Sequence, residues 1–457
     1  MPKALFFPSY LGGGFGHIGR CLALATALEE RGWQTSFALG GQHAGRLHRS
    51  GSQVHILRRP GSSAARSRSV AGVERVPVYT LLSDLNYQLV RDGLHRPSII
   101  RACVAEQLGV IRREQPDLLI ADTWPLAGVV AHLSGLPLVQ IARAIIHPQG
   151  PGLLWWQPQP EGLVSPDPRP VFNPLLKGWG IPPIERAEDL LTGNLYLIPS
   201  LPELDPLPDN LPNTYYIGPL VHKADEREPE WLLELDASRP VIYITTGGGA
   251  GLMGGSHFFS VLFEALQESE LQIIVSAGTG LSLDALPSPP SNFQIAAWVP
   301  GPAVIARSSL VVFPGGYGTS MELVQAGVPG LVIPFHSEQE SNARRLEALG
   351  VARVLLPSQS APVQIWRRWP GGRFTILVHP ESDLTPASLR QAILSTFANA
   401  GLKLNARQLQ TLAAGYRGAA QGVELIEALH AAHPKAGRSG GVHLSWWQKH
   451  LKISRRL

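Results

Sequence analysis

The chain has 457 residues, of which 44% are apolar and 16% charged. At about 150 residues per domain this implies two or three domains with a sizeable core and excludes wholesale disorder. Net charge is +4, but residues 435–457 hold six Lys and Arg and no acid, leaving the preceding chain at −2. The basic balance therefore belongs to a tail and argues against a nucleic-acid-binding body.

Two cysteines, Cys21 and Cys103, are too few for a disulfide framework or a four-ligand zinc site. The longest apolar stretch, 126–146, is interrupted by His132, Pro137, Gln140 and Arg143, so no transmembrane segment is expected. The N-terminus runs straight into an apolar segment without a signal-peptide pattern. These features point to a cytoplasmic protein.

In chain order, residues 4–7 predict a strand, 12–19 a glycine loop, and Ile18, Cys21, Leu22, Ala25 and Leu28 one face of a helix stopped at Gly32. The same grammar returns near 241: strand 241–244, glycine loop 245–255, then Phe259, Leu262, Phe263 and Leu266 on a helical face. Strands at 118–121 and 136–141 continue the first half, and 272–276, 310–313 and 330–334 the second. Strands alternating with helices predict parallel sheets. The expected division is a first domain over 1–220, a second over 221–433, and a basic tail over 434–457, with the cut in the charged stretch 223–230. Residues 148–213 are proline-dense and hold Trp155, Trp156, Phe172 and Trp179. They predict an irregular segment that could wall an apolar pocket. Residues 363–378 read as a β-hairpin with a Pro-Gly turn.

Gly14-Phe-Gly16-His-Ile-Gly19 matches G-x-G-x-x-G between a strand and a helix, a loop that brings a charged ligand to backbone N–H groups. A dinucleotide fold needs an acid at the end of the second strand, and that strand runs into Gly40-Gly41-Gln42, which disfavours NAD. His17 lies in this loop, and Asp122 at the carboxyl end of a parallel strand could orient and support its imidazole as a base. Between Val311 and Glu322 a strand runs into Pro314-Gly-Gly-Tyr-Gly-Thr319, and a helix is expected to begin near Thr319 and end at Gly327. Thr319 and Glu322 have capping-box spacing, a sufficient structural reason for both. In the functional alternative the helix start faces a phosphate and Glu322 accepts from sugar hydroxyls. Glu338 and Gln339 follow the next strand, where they suit either a helix cap or a hydroxyl-rich ligand. Gly16, Thr246 and Gly247 of the two glycine loops complete the candidate donor contacts. No P-loop, H-E-x-x-H or D-x-D is present, and the single G-x-S-x-G, 437–441, lacks a preceding strand.

With these residues in place, the sequence resembles glycosyltransferases of the GT-B type, close to the UDP-glycosyltransferase and MurG-like families, over roughly residues 3–430. The opening GFGHIGRCLALATALEERGW is similar to the family's histidine-bearing helix, PDLLIAD to the strand carrying the histidine's aspartate, and YIGPL to its linker. The stretch 298–343 is similar to the donor-binding signature. The resemblance implies two Rossmann-like α/β domains facing across a cleft, with His17 and Asp122 catalytic. It also implies Trp298 beside the base, Gly316, Gly318 and Thr319 around the diphosphate, Glu322 on the ribose, and Glu338 and Gln339 on the sugar. Two positions depart from it: Pro314 replaces a frequent histidine and Gly301 a frequent glutamine.

The function expected is an inverting, metal-independent glycosyltransferase. It would use a nucleotide-sugar donor, UDP-linked, with no further cofactor, and an acceptor hydroxyl on a lipophilic or aromatic small molecule. A sugar-nucleotide epimerase or hydrolase, and a nucleotide-sugar-binding protein without transfer, are the alternative readings. The basic tail would give at most weak peripheral contact with a membrane.

Overall fold

The computed structural model describes residues 1–10, 14–49, 51–58, 60, 78–81, 84–152, 160–222, 228–247, 256–278 and 282–433. The basic tail, Trp155, Trp156 and most of the second glycine loop lie outside them. No helix among the described residues is long and apolar enough to cross a membrane.

Sixteen strands are described: β1 (Lys3–Pro8), β2 (Gln34–Leu39), β3 (Val54–Ile56), β4 (Tyr79–Leu81), β5 (Leu118–Asp122), β6 (Leu138–Ile141), β7 (Leu195–Ile198), β8 (Thr214–Tyr216), β9 (Val241–Thr245), β10 (Gln272–Ser276), β11 (Phe293–Ala296), β12 (Leu310–Phe313), β13 (Gly330–Val332), β14 (Ala352–Val354), β15 (Val363–Trp369) and β16 (Gly372–His379). The first sheet runs β3-β2-β1-β5-β6-β7-β8 and the second β11-β10-β9-β12-β13-β14, each parallel throughout. Every residue of β5, β6, β7 and β9 is buried, as expected of parallel strands covered by helices on both faces. In the second sheet the side chains divide by period two. Tyr243, Ile274 and Val311 enter one core, and Ile242, Ile244 and Ile273 the other.

Strand order reverses between β1 and β5 in the first sheet and between β9 and β12 in the second. At such a point the loops leaving adjacent strands diverge and open a crevice at the carboxyl ends. Both crevices are followed by a helix start, Gly16–Glu30 after β1 and Tyr317–Ala326 after β12. The two starts meet: a Cβ on Gly318 would stand 3.9 Å from the Gly16 Cα.

Two later segments cross back to the first sheet. The 363–378 hairpin is present, with Trp369 opposite Gly372 across the Pro370-Gly371 turn. Its second strand pairs antiparallel with β4, and Trp369, Phe374, Ile376 and Val378 join the first sheet's core. The helix Ala419–Ala432 also returns there: Val423 and Ile426 are in that core, and the Gly418 amide donates to the Ile217 carbonyl at 2.7 Å.

The segment 148–213 corrects the sequence reading. It is not irregular throughout, because it contains the helix Arg169–Gly178 and the fully buried strand β7. Phe172 is fully buried in the first core, and Trp179 packs against it. Four apolar residues between proline-rich flanks are enough for a strand whose neighbours are already in place.

Anchoring of the hairpin makes its two faces energetically unequal. Phe374→Ala, at a 4% exposed site, should cost ~3–5 kcal/mol. Trp366→Ala, at a 46% exposed site where Arg373 lies 4.6 Å from the ring, should cost about 1 kcal/mol or less. Thermal denaturation of both variants checks this, and equal losses would show that the hairpin does not belong to the first core.

Candidate functional site

The first half of the site is built on a buried carboxylate. Asp122 ends β5 opposite Pro8 of β1, fully shielded from solvent, and its backbone carbonyl accepts from the Ser9 amide at 2.9 Å. The helix Gly16–Glu30 starts at the same level, so His17 and Arg20, three residues apart, share one helical face toward it. His17 Nδ1 lies 2.7 Å from Asp122 Oδ1. Arg20 donates through Nε to Oδ2 at 2.7 Å and through Nη2 to Oδ1 at 2.9 Å, and the Thr123 hydroxyl donates to Oδ1 at 3.1 Å. Burial alone would push the Asp122 carboxyl up, but the charges of Arg20 and then His17 prevail and hold it at about 2. An ionised carboxylate only accepts, so a hydrogen bond across this contact needs the proton on Nδ1, which in a neutral ring leaves the lone pair on Nε2; Arg20 Nη2 also lies 3.0 Å from Nδ1. The His17 side chain is 36% exposed, so a fully buried carboxylate holds an accessible imidazole.

The second half surrounds the start of the helix Tyr317–Ala326. Gly316 is its N-cap and no side chain caps it. The capping box expected from Thr319 and Glu322 is therefore absent. The helix begins at Tyr317 because Gly316 is still extended, which puts both residues inside the helix. Glu322 is half-buried, and its Oε2 lies only 3.1 Å from where a Cβ on Gly301 would stand. Burial pushes its carboxyl up to about 7. Trp298 is 42% exposed in the loop between β11 and the helix Gly301–Ala306. The Thr246 hydroxyl donates to the Ala277 carbonyl at 2.8 Å, so its proton is engaged within the fold. Gly247 has φ +61°, and a Cβ there would meet the Pro314 ring at 3.6 Å.

Glu338 and Gln339 lie in the first turn of the helix Ser337–Ala348. His336 is the cap, its ring accepting from the Gln339 amide, while the Gln339 side chain accepts from the Phe335 amide at 2.8 Å. Glu338 reaches the other sheet's residues, with Oε1 at 3.3 Å from Arg143 Nη1. Burial would raise its carboxyl, but His336, Arg143 and His17 together hold it below the usual carboxylate range.

The structure thus joins His17 to Asp122 and sets Gly16 against Gly318. Within the second half, Glu322 approaches Gly301, while Glu338 meets Arg143. Sequence reasoning missed Arg20, Arg143, Asp205 and Tyr317. For Arg20 a signal existed, since a cation three residues after His17 must share its helical face. For Arg143 the signal was a charge interrupting a long apolar run, because a buried cation needs partners.

Residues 252–366 match the family model for the glycosyltransferase family 28 C-terminal domain. The PGL/p-HBAD biosynthesis glycosyltransferase of Mycobacterium tuberculosis is 28% identical over 305 residues, covering 62% of this chain and 69% of that protein. The NDP-glycosyltransferase YjiC of Bacillus licheniformis is 22% identical over 422 residues, covering 91% and 95%. Among solved structures, the spinosyn rhamnosyltransferase SpnG bound to spinosyn aglycone aligns with a TM-score of 0.65 at 18% identity, covering 93% of this chain and 99% of that one. SpnG is also solved with thymidine diphosphate, at a TM-score of 0.63 and 18% identity, covering 93% and 100%.

The raised Glu322 carboxyl has a testable consequence for stability. Its folded value lies above the ordinary 4.5, so the folded state keeps a proton that the unfolded chain releases. Its contribution is therefore lost as pH rises from about 4.5 through about 7 and is constant above. Glu322→Gln should gain on the wild type over that window, by on the order of 2 kcal/mol at pH 8. Melting temperatures of both proteins at pH 5, 7 and 8 check it, and a pH-independent difference would contradict the burial.

Proposed function

The chain is a glycosyltransferase of the GT-B fold, and on that premise we propose that it moves a sugar from a nucleoside diphosphate to an acceptor hydroxyl in one inverting, metal-independent displacement. The observation that carries this reading is the His17–Asp122 contact of 2.7 Å at the mouth of the crevice, directly across from the helix start at Tyr317. A hydroxyl is a poor nucleophile until its proton is taken, and an imidazole with a free Nε2 is suited to take it. Asp122 holds the ring in the required tautomer and supports the charge it gains. The leaving diphosphate is assigned to the uncapped N–H groups at Tyr317–Thr319, where the helix dipole favours negative charge. With base and leaving group on opposite sides of the anomeric carbon, a single displacement inverts it.

Glu322 is assigned to the ribose hydroxyls and Trp298 to the base, with uridine or thymidine as the nucleoside. Thymidine diphosphate in SpnG supports a pyrimidine. A lipophilic or aromatic acceptor is favoured by the aglycone bound to SpnG. The location of Asp122 on the first sheet supports an acceptor site on the N-terminal side.

His17→Ala should lower turnover ~10²–10⁴-fold with donor affinity nearly unchanged. Asp122→Asn should lower it by less, because it acts through the base. Released nucleotide with a working acceptor, beside donor calorimetry, measures both, and near-normal turnover in His17→Ala would remove the base assignment. Rapid donor turnover without any acceptor would point to a hydrolase or epimerase instead.

Ribose hydroxyls donating to Glu322 stabilise its ionised form, so donor binding near pH 7 should release protons and tighten from pH 6 to pH 8. Calorimetry in buffers of different ionisation enthalpy reads this, and Glu322→Gln should abolish it. Equal proton release by the variant would move the ribose elsewhere.

A further inference from the structure

Arg143 stands just past β6, 7% exposed, and its guanidinium serves groups from both sheets. On its own side it meets Asp205, whose Oδ1 is 3.3 Å from Nη2. Across the crevice it donates from Nη1 to Glu338 Oε1 at 3.3 Å and from Nη2 to Asn342 Oδ1 at 2.6 Å. It also lies 3.9 Å from the centroid of the Tyr317 ring, and the Tyr317 hydroxyl donates to the Pro199 carbonyl at 2.9 Å. The Asn342 contact fixes the orientation of that amide, whose Nδ2 then donates to the Gly315 carbonyl at 2.8 Å. Gly315 has φ +91° and no room for a Cβ, which would meet the Gln339 carbonyl at 2.6 Å.

We propose that Arg143 is a positioning residue for the donor sugar, setting the Glu338 carboxylate and, through Asn342, the Gly315 turn from the opposite domain. This rests on the reading of Glu338 as a sugar contact. A glutamate in the first turn of a helix with solvent beside it has several rotamers open to it, and fixing one oxygen on a planar guanidinium removes that choice. Glu338 is 32% exposed, whereas Arg143 is 8% and Asp205 2% exposed at the side chain. The ordering group is therefore the rigid one, and the ordered group faces the crevice. Sugar recognition is then complete only when the two sheets face each other as they do here, because the fork comes from one side and the carboxylate from the other. The nucleotide portion, assigned to Glu322 and the helix start, does not depend on Glu338.

The separation between sugar and nucleotide supplies the test. Removing the guanidinium alone strands two carboxylates, so the variants are Arg143→Lys, which keeps the cation and loses the fork, and Arg143→Met with Asp205→Asn. Glu338→Gln is the reference, and melting curves confirm that each protein is folded. Calorimetry with UDP against UDP-glucose, and dTDP against dTDP-glucose, gives the affinity ratio of sugar nucleotide to nucleotide. The ratio should fall at least 10-fold in both Arg143 variants, and Arg143→Lys combined with Glu338→Gln should be no worse than Glu338→Gln alone. Equal weakening of both ligands, or no change, would overturn the proposal and leave Arg143 as interface packing. If Glu338→Gln keeps the wild-type ratio while the Arg143 variants lose it, the sugar reading of Glu338 fails. A wild type that binds none of the four ligands removes the donor reading and this proposal with it.

Discussion

Asp122 is a carboxylate with no water around it, and that constraint organises the first half of the molecule. An unpaired charge in such a place costs several kcal/mol, so the fold must bring cations to it. Parallel pairing sets Pro8 of β1 opposite Asp122, and the helix that follows β1 supplies His17 and Arg20 from its first two turns. The two residues take different parts. Arg20, itself buried, neutralises both carboxylate oxygens, while His17 takes one of them and keeps its other nitrogen toward the crevice. The position of the accessible His17 imidazole is thereby tied to a buried charge in the core. It cannot drift without breaking a buried ion pair.

Glu322 shows what the same side-chain chemistry does without a cation. Its carboxyl is raised by burial alone, whereas Asp122 is lowered by the charges that overcome its burial. Across the neutral range one stays ionised and the other changes protonation. A group that must hold an imidazole in one tautomer needs a permanent charge. A group that accepts from ligand hydroxyls gains its charge when they arrive. The two environments thus separate two carboxylates into a structural charge and a responsive one. The proposed division between chemistry on the first sheet and donor binding on the second follows the same line.

Much of this was legible in the sequence because parallel sheets write themselves twice, as apolar runs and as the glycine loops that end them. The pairs 4–7 with 12–19 and 241–244 with 245–255 located both crevices, and Asp122 was readable as the last residue of an apolar run. Contacts between distant segments were not readable. The strand β4 is three residues long and gains its partners from β16, nearly 300 positions later, and from a bridge between Thr80 and His336, so no local pattern announces it. Arg143 appeared as an interruption of an apolar run, when it is the group that run carries to the crevice. Thr319 and Glu322 misled for a physical reason: T-x-x-E fits a helix start as well as a helix interior, and the extended Gly316 decided between them.

Pro314 replaces a histidine that the resemblance leads one to expect, and the loop shows what the exchange does. A proline offers no side-chain donor, so nothing at position 314 could hold an anion directly. Its ring lies beside Gly247, where a Cβ would meet it at an ordinary contact distance of 3.6 Å, so the loops after β9 and β12 adjoin and it is the φ of +61° that favours glycine there. Proline also fixes its own φ, and the left-handed Gly315 that follows is pinned by Asn342. The turn into the helix is therefore held by ring packing and one amide. What remains to meet a diphosphate is the uncapped row of backbone N–H groups at Tyr317–Thr319, which needs rigidity from its surroundings more than a further side chain. On this reasoning the proline replaces a donor with order, and the donor reading does not require the missing histidine.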